Sequence, residues 1–385
     1  MEKIRLGDAF SFIRNGANIK QGLDDSGYPI TRIETISDRT VNREKMGYAG
    51  ITDVSKYDDY ILQDGDILMS HINSEKHLGK TAIYKKQKDE KIIHGMNLLC
   101  LRPDKDVVLP EYAFYFLSSV TFLRQIPNIT KKSVNQASFA VTALKELVFP
   151  KHGMDKQKKV IKQLDKITDL IDKRKKQLEK LDELVKSRFV EMFGDCKSMV
   201  SMNELCSIIT DGTHQPPRFQ ESGIPFIFVS NLVGNVVTYN AEKFISEDTY
   251  AELYKRTPIE IGDLLLSTVG SYGHPAVVTE DRKFLFQRHI AYLKPRHNMV
   301  NSFYLHSALL APDGQRQIEE KVKGIAQKTL NLSEIKKIVV PLPAIEEQNQ
   351  FEKFVNQIDK SKFEIKQSLE KLELLKKALM QKYFG

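Results

Sequence analysis

The sequence predicts an α+β fold: two strand-rich domains of similar plan, separated by two long helices that pair as an antiparallel coiled coil in a pseudo-twofold internal repeat. Three observations carry this. A stretch near residue 180 recurs near residue 370. Each copy holds a long run of apolar residues at coiled-coil spacing. The segments before the two copies share a set of turns and short strands.

The repeat is read directly. Leu178-Glu179-Lys180-Leu181 running to Phe193-Gly194 returns as Leu369-Glu370-Lys371-Leu372 running to Phe384-Gly385. Lys145, Val148, Pro150, Gln157, Lys162, Ile167, Lys175, Leu184 and Lys186 fall without a gap on Lys336, Val339, Pro341, Gln348, Lys353, Ile358, Lys366, Leu375 and Lys377. Roughly a quarter of the aligned positions are identical, so the repeat fixes the architecture before any motif is weighed.

Val160, Leu164, Ile167, Ile171, Leu178, Leu181, Val185 and Met192 advance in steps of about three and four, interrupted by Arg174 and Arg188. Phe351, Val355, Ile358, Ile365, Leu369, Leu372, Leu379 and Tyr383 do the same, interrupted by Lys362 and Lys376. That spacing lays a narrow apolar seam along a helix, with Lys and Glu on the solvated faces. Pro150 and the pair Pro341 and Pro343 precede the two runs, as suits a helix entry. A helix of about 38 residues is roughly 57 Å long. Such a seam is too long to bury in one small domain. Because a globular segment separates the helices, the chain runs out along one and back along the other, which favours antiparallel pairing over independent docking. Arg174 and Arg188 either meet carboxylates or lay their stems along the seam.

The expected domains are residues 1–150, a helix over 151–194, a second domain over 195–341 and a helix over 342–385. In the first domain a turn at Asn15-Gly16 is followed by short strands at Pro29 to Ile33, Asp66 to Met69, Thr81 to Tyr84 and Asn97 to Leu101. A helix is predicted from Pro110 to Val120 and a helical piece around Thr142 to Leu147. The second domain repeats the plan. Asp211-Gly212 answers Asn15-Gly16, Gly223-Ile224-Pro225 answers Gly27-Tyr28-Pro29, and Gly262-Asp263-Leu264 answers Gly65-Asp66-Ile67. Leu293-Lys294-Pro295 answers Leu101-Arg102-Pro103, and Gln327 answers Gln136. Shared framework turns with differing residues between them suggest two readers of two different targets.

The net charge of +8 points to a polyanionic partner. No run of about 18 apolar residues suggests a membrane span, and Met1-Glu2-Lys3-Ile4-Arg5 does not look like a secretory leader. Cys100, Cys196 and Cys206 form neither an even framework nor a zinc pattern, so reduced cysteines in a cytoplasmic protein are expected.

No catalytic constellation survives scrutiny. Gly79-Lys80-Thr81 resembles the end of a phosphate loop, but Ser74 stands where its first glycine belongs. Gln215-Pro216-Pro217 resembles an amino-methyltransferase motif, but Arg218 replaces the stacking aromatic. Asp313 with Glu319 and Glu320 imitates a metal-nuclease signature on a predicted helix, with cramped spacing. Asp66 and Asp263 sit in matched turns and read as turn formers. No histidines show metal-ligand spacing. What remains are basic and amide side chains in loops, which suit phosphates and base edges. These are Lys20, Arg32, Arg39, Arg43, His71, Lys131, Lys132, Asn135 and Gln136 in the first domain, and His214, Gln215, Arg218, His274, Arg288, His289, Gln327 and Lys328 in the second.

With Asp211-Gly212-Thr213-His214 and Pro217, the run from Gly262 to Ser267, and the segment from Gln327 to Gln348 through Pro341-Leu342-Pro343, the chain resembles the specificity subunits of type I restriction–modification systems. The likeness covers essentially the whole chain. In the first half Lys151-His152-Gly153 departs from it where the second proline belongs. The resemblance implies a non-catalytic subunit whose two target-recognition domains read a bipartite, asymmetric site in double-stranded DNA. It implies a coiled coil that acts as spacer ruler; half-sites on one face of DNA repeat about every 34–36 Å. It implies two copies of a modification methyltransferase docked on the helices and carrying S-adenosylmethionine. It also implies a restriction and translocase subunit carrying ATP and Mg, and no cofactor or metal in this chain. The competing readings are a DNA-modifying or DNA-cutting enzyme, which lacks its motifs here, and a scaffold with degenerate readers.

Overall fold

In a computed structural model, residues 2–19, 26–36, 39–133, 136–324 and 327–385 are described. The chain forms two compact units. One comprises residues 1–173 with 368–385, the other residues 174–367.

The first unit is built on a four-stranded antiparallel sheet in the order Phe10–Asn15, Leu98–Pro103, Ile67–Ser70, Thr81–Ile83. Its central strand is buried at every position, as expected of a short apolar run covered on both faces. The helix Pro110–Leu117 sends Tyr112 and Phe116 into a core with Ile67, Met69, Leu99 and Leu101. The helix stops at Leu117, short of the predicted Val120. The reason is Ser119, whose hydroxyl accepts the Phe122 N–H at 3.1 Å and caps a new short helix, Val120–Leu123. The strand expected from Pro29 to Ile33 is only Pro29–Ile30. Thr35 Oγ1 accepts the Arg32 N–H at 2.8 Å and closes a 3₁₀ turn, Ile33–Ile36, instead.

The second unit repeats the sheet, with Cys206–Asp211, Ile290–Pro295, Leu264–Ser267 and Pro275–Val277 in the same order. The register matches in detail: Asn15 pairs with Leu99 and Asp211 with Ala291, and both first strands carry an irregularity near their start. A helix, Ser302–Leu310, stands where Pro110–Leu117 stands in the first unit. In the second unit a small sheet pairs Ile224–Ile227 with both Lys243–Ile245 and Leu285–Phe286, and the first unit has a shorter counterpart in which Pro29–Ile30 pairs with Gly47–Tyr48 and Ile30 bridges Ile93.

The long helices are Met154–Phe193 and Ile345–Phe384. Each unit holds the base of one and the tip of the other. In the first unit Val160 and Leu164 share the core with Tyr383 and Phe384, and Tyr383 donates a hydrogen bond to Gln163. In the second, Phe189 and Phe193 pack edge-on against Phe351 at 5.5 and 5.6 Å, and Lys362 Nζ meets Asp182 at 2.6 Å. Moving from Asp182 to Phe189 on one helix moves from Lys362 back to Phe351 on the other. The pairing is antiparallel, as the sequence predicts. Every predicted seam residue is buried or half-buried. Arg174 and Arg188 pair on their own helix, with Gln177 and Glu191, whereas Lys362 reaches across to Asp182 as well as meeting Asp359 on its own helix.

A buried glutamine fastens each helix to its unit. Gln157 Oε1 accepts the Leu109 N–H at 2.9 Å, and its Nε2 donates to the carbonyls of Val107 and His152. Gln348, its repeat partner, accepts from Asn301 and donates to Met299 and Pro343. Tyr112 and Tyr304 likewise donate to the matched carbonyls of Pro150 and Pro341.

Candidate nucleic-acid interface

In both units the first strand ends in a glycine turn pressed against a second segment. Ala17 forms a parallel bridge to Gly95, and Thr213 forms the same bridge to Gln287. A Cβ on Gly16 would lie 2.2 Å from the Gly95 carbonyl, and one on Gly212 would lie 2.2 Å from that of Phe286. Glycine is needed in both places because the backbones touch. Counting from these bridges, Asn18 stands for His214, Met96 for Arg288 and Asn97 for His289.

In the second unit the turn, the strand end and the loop from Gln327 enclose a cleft lined by Asp211, Thr268, Arg288, His289 and Gln327. Asp211 binds two side chains: Arg256 Nη2 lies 2.7 Å from its Oδ1 and His214 Nε2 lies 2.9 Å from its Oδ2. Arg288 Nε donates to His289 Nε2 at 3.4 Å. Burial, and then the Arg288 guanidinium, push the His289 pKa down, which suits a neutral acceptor ring. His214, Arg288, His289 and Gln327 thus come together. Gln215 and Arg218 are exposed on the following loop. His274 is half-buried, its Nδ1 3.1 Å from Asn235 Oδ1. Lys328 is occupied by Glu319 and by the Tyr272 hydroxyl.

In the first unit Ala137–Ser138 lies between Ile72–Asn73 and Lys131–Lys132, which gathers His71, Lys131, Lys132 and Gln136 on one small ribbon. Lys131 and Gln136 are exposed there, and Lys132 reaches Glu75 at 2.9 Å. His71 is 5% exposed with Nδ1 unpartnered among the described residues, and burial lowers its pKa to about 4. Arg39 is exposed on a left-handed backbone (φ 59°), with its guanidinium 3.5 Å from the Ser118 carbonyl. Arg32 is half-buried. Arg43 lies elsewhere, held by both oxygens of Glu90 at 2.8 and 2.6 Å and by the Lys85 carbonyl. That guanidinium, first among several causes, holds the Glu90 pKa down at about 2. Lys20 and Asn135 lie outside the described residues.

The acidic residues set aside in the sequence have structural partners. Asp66 accepts the Gln63 N–H and receives both Nε and Nη2 of Arg102 at 2.8 Å. Asp263 accepts from the Glu260 N–H and Tyr292 hydroxyl and lies 3.3 Å from Lys294. Asp313 and Glu320 are bound by Arg316 of their own helix. Among the described residues no group of His, Cys, Asp and Glu could hold a metal ion.

Sequence reasoning missed Asp211, Arg256, Met96 and Asn97 as parts of these surfaces. Counting back from the matched pair Leu101 and Leu293 would have set Met96 on Arg288.

The sequence pattern described as the type I restriction modification DNA specificity domain matches this chain twice, over residues 1–183 and 198–376. The chain belongs to that family. It is 32% identical over 405 aligned residues to a protein of Methanocaldococcus jannaschii named as the MjaX type I restriction enzyme specificity subunit, covering 97% of this chain and 90% of that one. It is 30% identical over 177 residues to the EcoBI type I restriction enzyme specificity subunit of Escherichia coli, covering 45% of this chain and 37% of that protein. Two solved structures share the fold. One is a chain from work on complex assembly and conformational transition of the type I R–M system (TM-score 0.55, 16% identity, 100% of this chain and 97% of that chain). The other is the type I S subunit of M. genitalium (TM-score 0.53, 15% identity, 100% and 96%). Membership makes the chain a specificity subunit, a component that recognises DNA rather than one that catalyses.

Proposed function

We propose that this specificity subunit reads a bipartite, asymmetric site in double-stranded DNA, one half-site per unit, with the paired helices setting the spacing. One observation carries the reading. The two units keep the same sheet, register and glycine turn but place unlike side chains at matched exposed positions. A shared frame serves a shared geometry, and unlike side chains serve unlike bases.

In this reading the chain assembles with methyltransferase and restriction subunits. Two methyltransferase copies dock on the helices and supply S-adenosylmethionine, and the restriction subunit supplies ATP and Mg chemistry. The exposed leucines Leu184 (46%) and Leu375 (49%) support two equal docking sites, because they occupy the same position of the repeat. No helix among the described residues is long and apolar enough to cross a membrane, which accords with work beside the chromosome in the cytoplasm. The methylome of cells expressing this chain with its cognate methyltransferase tests the reading. Two unlike short motifs at a fixed gap, one mark on each strand, are expected. A single contiguous motif refutes it.

A further inference from the structure

The recognition positions can be taken one step further, on the reading of the chain as a bipartite DNA reader. We infer that the position shared by Met96 and Arg288 makes the two half-sites differ: a guanine faces Arg288, and an A·T pair faces Met96.

The equivalence of the two positions is set by backbone geometry. The Ala17 N–H donates to the His94 carbonyl at 2.7 Å, and the Thr213 N–H donates to that of Phe286 at 3.0 Å. Met96 and Arg288 stand two residues beyond those carbonyls, one past the bridged Gly95 and Gln287. Both are exposed, Met96 by 47%. About half of the methionine's apolar surface thus stays open to a ligand at this place.

The chemistry of the two side chains is opposite. Arg288 donates through Nε to His289, and its terminal nitrogens have no partner among the described residues. This leaves the terminal nitrogens of an exposed guanidinium available, the group that pairs bidentately with guanine O6 and N7 in the major groove. Met96 can neither donate nor carry charge. It can pack against the C5-methyl of thymine, and Asn97 beside it is an amide of the type that pairs with adenine.

Phosphate binding does not account for the pair. The DNA backbone is the same at both half-sites, so a phosphate anchor would keep a cation at both matched positions. Here the cation is present in one unit and replaced by a thioether in the other, on an unchanged frame.

The test uses the full chain co-expressed with its cognate methyltransferase, with methylomes mapped for the parent, R288M, R288K and M96R. The parent is expected to show a G·C pair at one position of a half-site. R288M and R288K should relax that position about five- to hundredfold, the span of one bidentate base contact, while the other half-site and the gap stay fixed. R288K keeps the charge and loses the fork, so its relaxation excludes a purely charge-based role. M96R should alter one A·T position in the opposite half-site. Uniformly weaker methylation by R288M with an unchanged motif overturns the inference and leaves the bipartite reading standing. A parent motif without two parts overturns both.

Discussion

Replacing Gln157 should cost stability well beyond its size. The side chain is wholly buried and satisfies three backbone groups: the Leu109 N–H and the carbonyls of Val107 and His152, at 2.9, 3.0 and 2.8 Å. Gln157→Ala leaves one donor and two acceptors unmet and opens a small cavity. An unmet buried group costs about 1–3 kcal/mol, and water entering the cavity recovers part of it, so a loss of about 3–4 kcal/mol follows. Gln157→Leu fills the volume but keeps water out, and should be at least as damaging. The ordering is the informative part, because a packing role alone would make leucine the milder change. Urea unfolding of the parent and both variants, with the slope m compared, measures it. The same loss is expected for Gln348→Ala, whose three bonds reproduce the pattern in the other unit. The double variant should be additive within about 0.5 kcal/mol. Losses under about 1 kcal/mol for both Gln157 variants would refute the clamp.

Other outcomes follow from the same geometry. Gly212→Ala should destabilise the second unit by more than about 2 kcal/mol, because its Cβ would meet two backbone carbonyls at 2.2 and 2.5 Å; thermal unfolding checks it. His71 and His94 are buried with pKa values lowered to about 4, so the unfolded chain binds their protons first as pH falls below about 6.5. Stability should therefore fall from about pH 6.5 toward pH 4, with little further change below that from these rings, and His71→Leu should flatten the fall in a pH series of unfolding curves. Lys362→Leu should leave stability unchanged or raise it by about 1 kcal/mol, since it exchanges a half-buried ion pair in the seam for apolar contact; calorimetry decides. Leu184→Glu and Leu375→Glu should each leave unfolding unaffected yet remove one methyltransferase copy, read by native mass spectrometry of the complex.

The parts of the fold governed by local periodicity were legible in the sequence. The seam from Val160 to Met192 and from Phe351 to Tyr383 follows helical spacing, and a helix that long admits few packing solutions. The matched turns were legible because glycine is demanded by backbone contact at Gly16 and Gly212. Phe189, Phe193 and Phe384 were missed as anchors. They stand at the helix ends, where the seam gives way to the domain cores, and the regular spacing says nothing about what lies beyond. Arg43 and Lys328 read like free cations in loops. Their partners Glu90 and Glu319 become neighbours only through tertiary folding. His71 read like a loop histidine, and its burial depends on Phe139, far along the chain. Met96 carried no polar signal and became noticeable only through the residue facing the same way in the other unit.

Because the first unit is closed by residues 368–385, the order of synthesis differs from the order of folding. Tyr383 and Phe384 sit in the core with Tyr112 and Phe116, yet they emerge only after the 194 residues from 174 to 367 have been made. At about 5–20 residues per second, the first unit waits on the order of 10–40 s on the ribosome with part of its core missing. The second unit, continuous in sequence, can close during that interval. A ribosome that stalls before Tyr383 therefore leaves a chain whose earlier-made half is the unfinished one, with Tyr112 and Phe116 lacking the ring of Phe384 that packs on them.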